Sequence, residues 1–210
     1  MFTLLYKDFL LLRKEKMGWF MLALTFLAGI DLGRGGGLGL TFLIILPAYW
    51  AVAYSNAYDY KYGAEAFLAS LPLPRSAVVA EKYLLSLILS LVGIGCTLLG
   101  SALGLLVAGP VASFPWSFAP LAFAACAFYS ALSLAAYFRF GYLSSRWVTF
   151  VLMGSVGALF GVFAGANLGG GILEKRLPGL AGAGLVAVLA LLFLGLSFLY
   201  ARRRFAKKEL

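Results

Sequence analysis

Tyr83-Leu84-Leu85-Ser86-Leu87-Ile88-Leu89-Ser90-Leu91-Val92 opens a run that continues to Phe138 without one Asp, Glu, Lys or Arg, 56 residues counted from 83 to 138. As a single helix rising about 1.5 Å per residue it would reach roughly 84 Å, nearly three times a hydrocarbon core of about 30 Å. It must therefore turn back once. Gly109, Pro110, Pro115 and Pro120 gather around Ser113 and Trp116, and helix breakers concentrated in so few residues mark the reversal. Two membrane helices follow, near 83–108 and 116–138.

The rest of the chain repeats the pattern. Charge is absent from Gly35 to Tyr58, from Trp147 to Leu173 and from Leu177 to Ala201, and a shorter run covers Met17 to Ile30. With 63% of residues hydrophobic and 12% charged, against roughly 45–50% and about 25% in a soluble domain, no aqueous fold hides this much apolar surface. The sequence predicts an all-α integral membrane protein of six transmembrane helices, near 17–34, 38–58, 83–108, 116–138, 147–168 and 179–201. No repeat or linker divides it, so residues 1–210 form one transmembrane domain: an amphipathic helix over 1–16, spans one and two over 17–58, a loop over 59–82, spans three to six over 83–201 and a basic tail over 202–210.

Six crossings place both termini on one side, and the basic residues choose the side. Of the 17 Lys and Arg, all but Arg34, Lys175 and Arg176 fall on the face that holds the termini. That face is cytoplasmic. The net charge of +9 has the same origin and implies contact with anionic lipid rather than nucleic acid. The apolar stretch after the basic start has signal-peptide length but lacks a small-x-small cleavage pattern, and five further spans follow it. Cys96 and Cys126, both at mid-span, read as small packing residues.

Absent residue types narrow the function. The chain has no His, which removes a Ser-His protease and the usual His-containing metal sites. The carboxylate nearest a span is Asp31, close to its outer end, so no ionisable group stands at mid-depth where proton- and ion-driven carriers keep them. No Gly-x-x-x-x-Gly-Lys-Ser/Thr phosphate loop occurs. The chain is thus no ATPase and no enzyme by any motif it carries, and transport through it needs an external motor. A lipid enzyme using an acidic pair from Asp59, Glu65 and Glu81 to bind Mg²⁺ is a further possibility on residue type alone.

The motor's docking place is the largest cytoplasmic connection. Ala64 to Leu71 can form about two turns before Pro72 and Pro74 end them, and a helix that short is marginal alone in water. Phe67, Leu68 and Leu71 then need a partner or the membrane surface to cover them. At the start of the chain Phe2, Leu5, Phe9 and Leu12 fall along one face, with Lys7, Asp8, Lys14 and Glu15 opposite, as in an interfacial helix; an ordinary basic anchor has the same composition.

Together, Tyr6-Lys7-Asp8-Phe9-Leu10-Leu11-Leu12-Arg13-Lys14, two spans, Leu68-Ala69-Ser70-Leu71-Pro72-Leu73-Pro74-Arg75 and Glu81-Lys82-Tyr83-Leu84 resemble the class-two membrane subunits of ATP-binding-cassette exporters. The likeness is narrower to the small bacterial permeases of phenol-soluble-modulin exporters. The layout covers the whole chain, the distinctive motif about residues 64–84, and Pro74 departs from the Ser or Thr often found there. The resemblance implies the type V arrangement in a bacterial plasma membrane. In it two copies or two related permeases pair, and each docks a separate cytoplasmic ATPase that holds ATP and Mg, with no cofactor in this chain. It further implies an elbow helix over 1–16, a coupling helix near 64–71 that receives the motor's work through Glu65, Phe67, Leu68, Leu71 and Arg75, and a pathway lined by spans two and five.

Those two spans are compatible with that assignment. Phe42, Tyr49, Trp50, Phe150, Met153 and Phe160 would line an uncharged path suited to a hydrophobic or amphipathic cargo, a peptide, toxin or drug. Gly154, Gly157, Gly161 and Gly165 form a small-residue strip that admits a neighbouring helix of the same chain or of a second protomer. A substrate-capturing subunit of an energy-coupling-factor vitamin importer has a similar length and span number, but leaves Leu71-Pro72-Leu73-Pro74-Arg75 without a role.

Overall fold

In a computed structural model the chain is described over residues 2–34, 43–63, 74–108, 118–168 and 180–206, with the backbone alone at 2, 3, 108, 118, 159–168, 180 and 181. Seven α-helices make up these segments: α1 Phe2–Lys14, α2 Lys16–Gly33, α3 Leu46–Lys61, α4 Arg75–Ala108, α5 Phe118–Phe140, α6 Tyr142–Leu168 and α7 Leu180–Ala206. A short 3₁₀ turn at 43–45 leads into α3, with Pro47 in its first turn, where a missing N–H costs nothing. Four of the described helices are long and apolar enough to cross a membrane: Lys16–Gly33, Arg75–Val107, Ala119–Phe140 and Gly182–Ala206.

Successive long helices alternate in direction. Thr25, Gly29 and Gly33 of α2 meet Thr97 and Ser101 of α4 in the same order along both chains, so α2 and α4 are parallel. The pairs Phe128–Phe193 and Phe138–Phe205 make α5 and α7 parallel in the same way. By contrast Ser55 lies against Lys82 while Pro47 lies against Gly93, which sets α3 antiparallel to α4. Helix α5 is the centre of the bundle, with Tyr129, Ala131 and Leu134 at most 1% exposed. On α7, by contrast, Leu185, Leu189, Leu192 and Leu196 are each more than half exposed, the apolar exterior that a lipid solvent accepts without cost.

Glycine decides the α2–α4 contact. A Cβ on Gly29 would stand 2.2 Å from the Thr97 carbonyl oxygen, and one on Gly33 2.1 Å from that of Ser101. From the other side, Cβ atoms on Gly100 and Gly104 would reach 2.3 and 2.4 Å from the carbonyl oxygens of Phe26 and Ile30. Four-residue spacing on both helices puts small residues on one face of each, so the backbones touch. The sequence also predicts a small-residue strip on span five, open to a helix of this chain or of a second protomer. There a Cβ on Gly154 or Gly157 meets nothing within 4 Å.

Several boundaries move. The third long helix begins at Arg75 rather than 83, because Pro74 starts it and Ala77 N–H closes the first turn on the Pro74 carbonyl at 2.8 Å. The loop expected over 59–82 is correspondingly shorter, since α3 runs on to Lys61. Helix α6 begins at Tyr142 rather than 147, separated from α5 by Gly141 alone, whose φ of +78° only glycine adopts without strain. The last helix continues to Ala206, inside the stretch read as a tail. The face of α1 is also corrected: Leu4, Asp8 and Leu12 are buried, whereas Phe9 is 47% exposed. An aspartate turns inward here because its charge is met there.

Candidate functional site

Two polar features stand where α3 meets its neighbours. The first is an ion cluster joining α1, α3 and α4 on either side of residues 64–73. Lys82 Nζ lies 2.8 Å from Asp8 Oδ2 and also contacts Asp59 Oδ2 and Ser55 Oγ. Lys7 Nζ is 3.0 Å from Asp8 Oδ1 and 3.2 Å from Asp59 Oδ1, and Ser55 Oγ donates to Asp8 Oδ2 at 2.6 Å. Asp8, Asp59, Glu81 and Lys82 are all at most 4% exposed. A lone charge so deeply placed is prohibitive, and mutual pairing makes it tenable for Asp8, Asp59 and Lys82, whereas Glu81 Oε1 is buried without a hydrogen-bond partner.

The local sequence explains how each charge arrives. Asp59 ends the polar stretch of α3, one turn past Ser55, so both point the same way. Glu81 and Lys82 lie two turns inside α4 because that helix starts at Arg75. Asp8 comes from the middle of α1. Burial by itself would raise the Asp8 carboxyl, but the Lys82 ammonium and the hydrogen bonds it receives hold it well below the usual carboxylate range. Lys7 is lowered by burial and raised more by Asp59 and Asp8, and ends above its ordinary value.

The signs fix the pH response. A depressed carboxylate stabilises fully above its unfolded pKa of about 3.9, and a raised lysine stabilises fully below about 10.4. The Asp8 and Lys7 contributions to docking of α1 are therefore expected to be lost as pH falls below the usual carboxylate range or rises past the lysine range. Proteolysis between α1 and α2 below about pH 4 and above about pH 10 measures it. Undiminished protection at both extremes would contradict the pairing.

The two ends of the segment 64–73 are anchored differently. On one side α3 stops at Lys61 and Gly63 takes φ +60°, the left-handed conformation that ends helices. On the other, Arg75 Nη1 donates to the Ala206 carbonyl at 3.1 Å, joining the start of α4 to the end of α7. Tyr83 Oη and Ser197 Oγ, 2.7 Å apart, repeat that tie two turns further in.

The second feature is a cleft of about 40 Å³ between α3 and α6, where Tyr49, Ala53 and Asn56 face Tyr142, Ser145, Arg146 and Thr149. Tyr60 stacks on Tyr142 at 4.9 Å beside it. Asn56 is 4% exposed, yet its Oδ1 accepts no hydrogen bond. Tyr129 Oη and Ser133 Oγ are also buried without a partner.

Of the residues expected to couple to a motor, Glu65, Phe67, Leu68 and Leu71 lie outside the described residues, and Arg75 is the first residue of α4. Of those expected along a path, Phe42 and the Phe160 side chain also lie outside. Tyr49 borders the cleft, and Met153 packs with it against Ile44, Ile45 and Tyr129. Trp50 turns the other way, onto Gly18, Leu12, Leu85 and Leu89. Phe150 is 66% exposed on the outside of α6. Gly161 and Gly165 continue α6, and nothing is described of what surrounds them.

Sequence reasoning missed the ion cluster and the polar half of the cleft. A signal existed for the first, since Asp8, Asp59 and Lys82 each sit within two turns of an apolar run on the same side of the membrane, with opposite signs. Asn56 and Arg146 gave none, because an Asn near a span end and an Arg in a short loop are ordinary there.

Residues 3–205 match the family model described as ABC-2 family transporter protein. No curated protein and no solved structure matches the chain.

Proposed function

Because the chain belongs to the ABC-2 family of transporter proteins, and so is a membrane permease subunit that pairs with an ABC ATPase subunit, we propose that it exports a hydrophobic or amphipathic cargo. Peptides, including antimicrobial peptides, toxins and drugs have that chemistry. The working unit is a pair of permeases of type V arrangement, two copies of this chain or this chain with a relative, in a bacterial plasma membrane. Each has six spans and cytoplasmic termini, and ATP and Mg are held by the partner ATPase. The alternating directions of α2 to α7 and the one-sided distribution of basic residues support that topology.

The observation that carries the reading is the ion cluster. It ties the helix before residues 64–73, the helix after them and α1 into one body. A push delivered to that segment by a docked ATPase therefore moves α1, α3 and α4 together instead of bending a loose loop. The open surface at Gly154 and Gly157 fits close approach by a second permease. The family match over 3–205 favours this reading over a vitamin-capturing subunit, and Lys7 and Lys82 already occupy Asp59, one of the carboxylates a Mg²⁺-dependent lipid enzyme would use.

Arg75→Glu places a carboxylate against the Ala206 carbonyl, and Leu68→Glu charges the face offered to the motor. Each is expected to lower cargo-stimulated ATP hydrolysis by roughly tenfold or more, about 1.4 kcal/mol of coupling, while insertion into the membrane is unchanged. Hydrolysis and transport in nanodiscs holding both subunits measure it. If no ATPase copurifies with the wild-type chain, the reading fails.

A further inference from the structure

The charges gathered at the joint of α1, α3 and α4 do not balance. Two lysines, Lys7 and Lys82, stand among three carboxyls, Asp8, Asp59 and Glu81, and of these side chains only that of Lys7 is partly open to solvent. Fully ionised, the group would carry one negative charge too many in a setting where an unmet charge is prohibitive. The contacts show where the surplus falls. Both oxygens of Asp59 lie on lysine ammoniums, and Asp8 Oδ2 is held by Lys82 and Ser55. Glu81 is 2% exposed, enters no ion pair among the described residues, and its Oε1 meets no donor. Its carboxyl is within hydrogen-bond reach of the Asp8 carboxyl, whose Oδ1, although near Lys7 Nζ, accepts no hydrogen bond either. Two facing acceptors repel. One proton between them makes a charge-assisted hydrogen bond and cancels the surplus charge in the same step.

Helix α4 has 34 residues, about 51 Å at about 1.5 Å per residue against a hydrocarbon core of about 30 Å. Its opening turns, with Glu81 ahead of the charge-free run from Tyr83, therefore extend beyond the hydrocarbon. On α1 Asp8 and Lys7 act on Glu81, on α4 Lys82 does, and Asp59 of α3 acts through Lys82. Toward α5 and α7 this part of α4 packs on Leu134, Tyr137, Ala201 and Phe205, none of them charged, and Arg202, Arg203 and Arg204 are exposed. Helix α2 meets α4 further along, at Thr97 and Ser101. Burial raises the Glu81 carboxyl to about 8, with Lys82 pulling it down and the hydrogen bond and charge of Asp8 pushing it up again.

We propose that Asp8 and Glu81 share one proton at neutral pH, and that its release loosens α1 from α4, making this joint a pH-sensitive latch. With the proton in place the Glu81 O–H donates to the Asp8 carboxylate, and two negative charges stand against two positive ones. When the O–H bond breaks, the proton passes to water and two buried carboxylates remain side by side. The contribution of Glu81 to docking is fully present below its unfolded value of about 4.3 and is lost as pH rises through about 8. The latch belongs to the chain alone and requires neither ATPase nor cargo.

The test uses the full chain without ATPase in phosphatidylcholine nanodiscs. Infrared spectra of the wild type at about pH 7 are expected to show a protonated-carboxyl stretch that fades as pH rises through about 8 and is missing from Glu81→Gln. Asp8→Asn balances the charges with Glu81 ionised, so its stretch is expected to fade at least about one pH unit lower. Glu81→Gln keeps an N–H donor for Asp8 and has nothing to titrate. Relative to that variant, protease cleavage of the wild type between α1 and α2 is expected to rise about tenfold or more from about pH 6 to about pH 9, an interval in which neither Asp8 nor Lys7 changes charge. The proposal is overturned by a wild type without the protonated-carboxyl stretch at about pH 7, by a titration that Asp8→Asn leaves in place, or by cleavage that rises equally in wild type and Glu81→Gln.

Discussion

Lys82→Met is expected to be the most damaging single change at the cytoplasmic end, releasing α1 and lowering stability by about 3–5 kcal/mol. The replacement has similar length and packs acceptably, so the loss is electrostatic. Asp8 and Asp59, at most 4% exposed, are left facing each other with only Lys7, whose side chain is 38% exposed, to offset them. Removing one member of a buried pair costs more than the pair was worth, because the remaining charge stays desolvated. Lys7→Met, by contrast, removes a partly solvated ion and is expected to cost about 1 kcal/mol or less. The triple variant Asp8→Asn, Asp59→Asn, Lys82→Met removes all the stranded charge and is expected to recover most of the stability. If coupling stays lost in that variant, the charges transmit motion; if coupling returns with stability, they only hold α1 in place. Detergent melting curves combined with protease cleavage after α1 separate these outcomes, and a Lys82→Met chain as stable as wild type would falsify the cluster's structural role.

The same charges show what the sequence could and could not disclose. Length and charge-free runs place the long helices within a few residues at most ends, because the bilayer imposes a length and excludes charge regardless of partner. Residues 83–108, 116–138 and 179–201 lie almost wholly within α4, α5 and α7. Helix α4 starts at Pro74 and so carries Lys82 two turns inside it, where Asp8 and Asp59 come to meet that lysine, and no periodicity within 75–108 records that meeting. On α1 the apolar stripe Phe2, Leu5, Phe9 and Leu12 is real as a pattern, yet burial follows Leu4, Asp8 and Leu12, since the docked face is chosen by Lys82 as much as by hydrophobicity. Trp50 and Tyr49 make the same point. Adjacent on one helix, they diverge by about 100°, and only the positions of Gly18 and α6 decide which of them faces the cleft.

Gly29→Leu is expected to prevent α2 from docking on α4 altogether, and Gly29→Ala to cost about 3 kcal/mol, the upper part of the range for overfilling a packed contact. The reason lies in what stands opposite. A Cβ at 29 would meet the Thr97 carbonyl oxygen at 2.2 Å, and that atom belongs to helix backbone, which cannot rotate aside as a side chain does. Relief requires the two axes to separate, and the contacts at Gly33, Gly100 and Gly104 then open as well, because all four lie along one seam. In lipid no hydrophobic force rejoins the helices once backbone packing is lost. Helix propensity acts against this effect, since Ala favours a helix over Gly by up to about 1 kcal/mol, so the measured loss understates the clash. Gly154→Ala and Gly157→Ala supply the contrast. Nothing in the chain lies within 4 Å of a Cβ at either site, so in the isolated subunit propensity acts alone and both are expected to be neutral or slightly stabilising. Should the same two substitutions weaken the pairing of permeases in nanodiscs while leaving monomer melting untouched, the α6 strip is the contact between protomers. A Gly29→Ala chain that melts no lower than Gly154→Ala would show that α2 and α4 do not meet through their backbones.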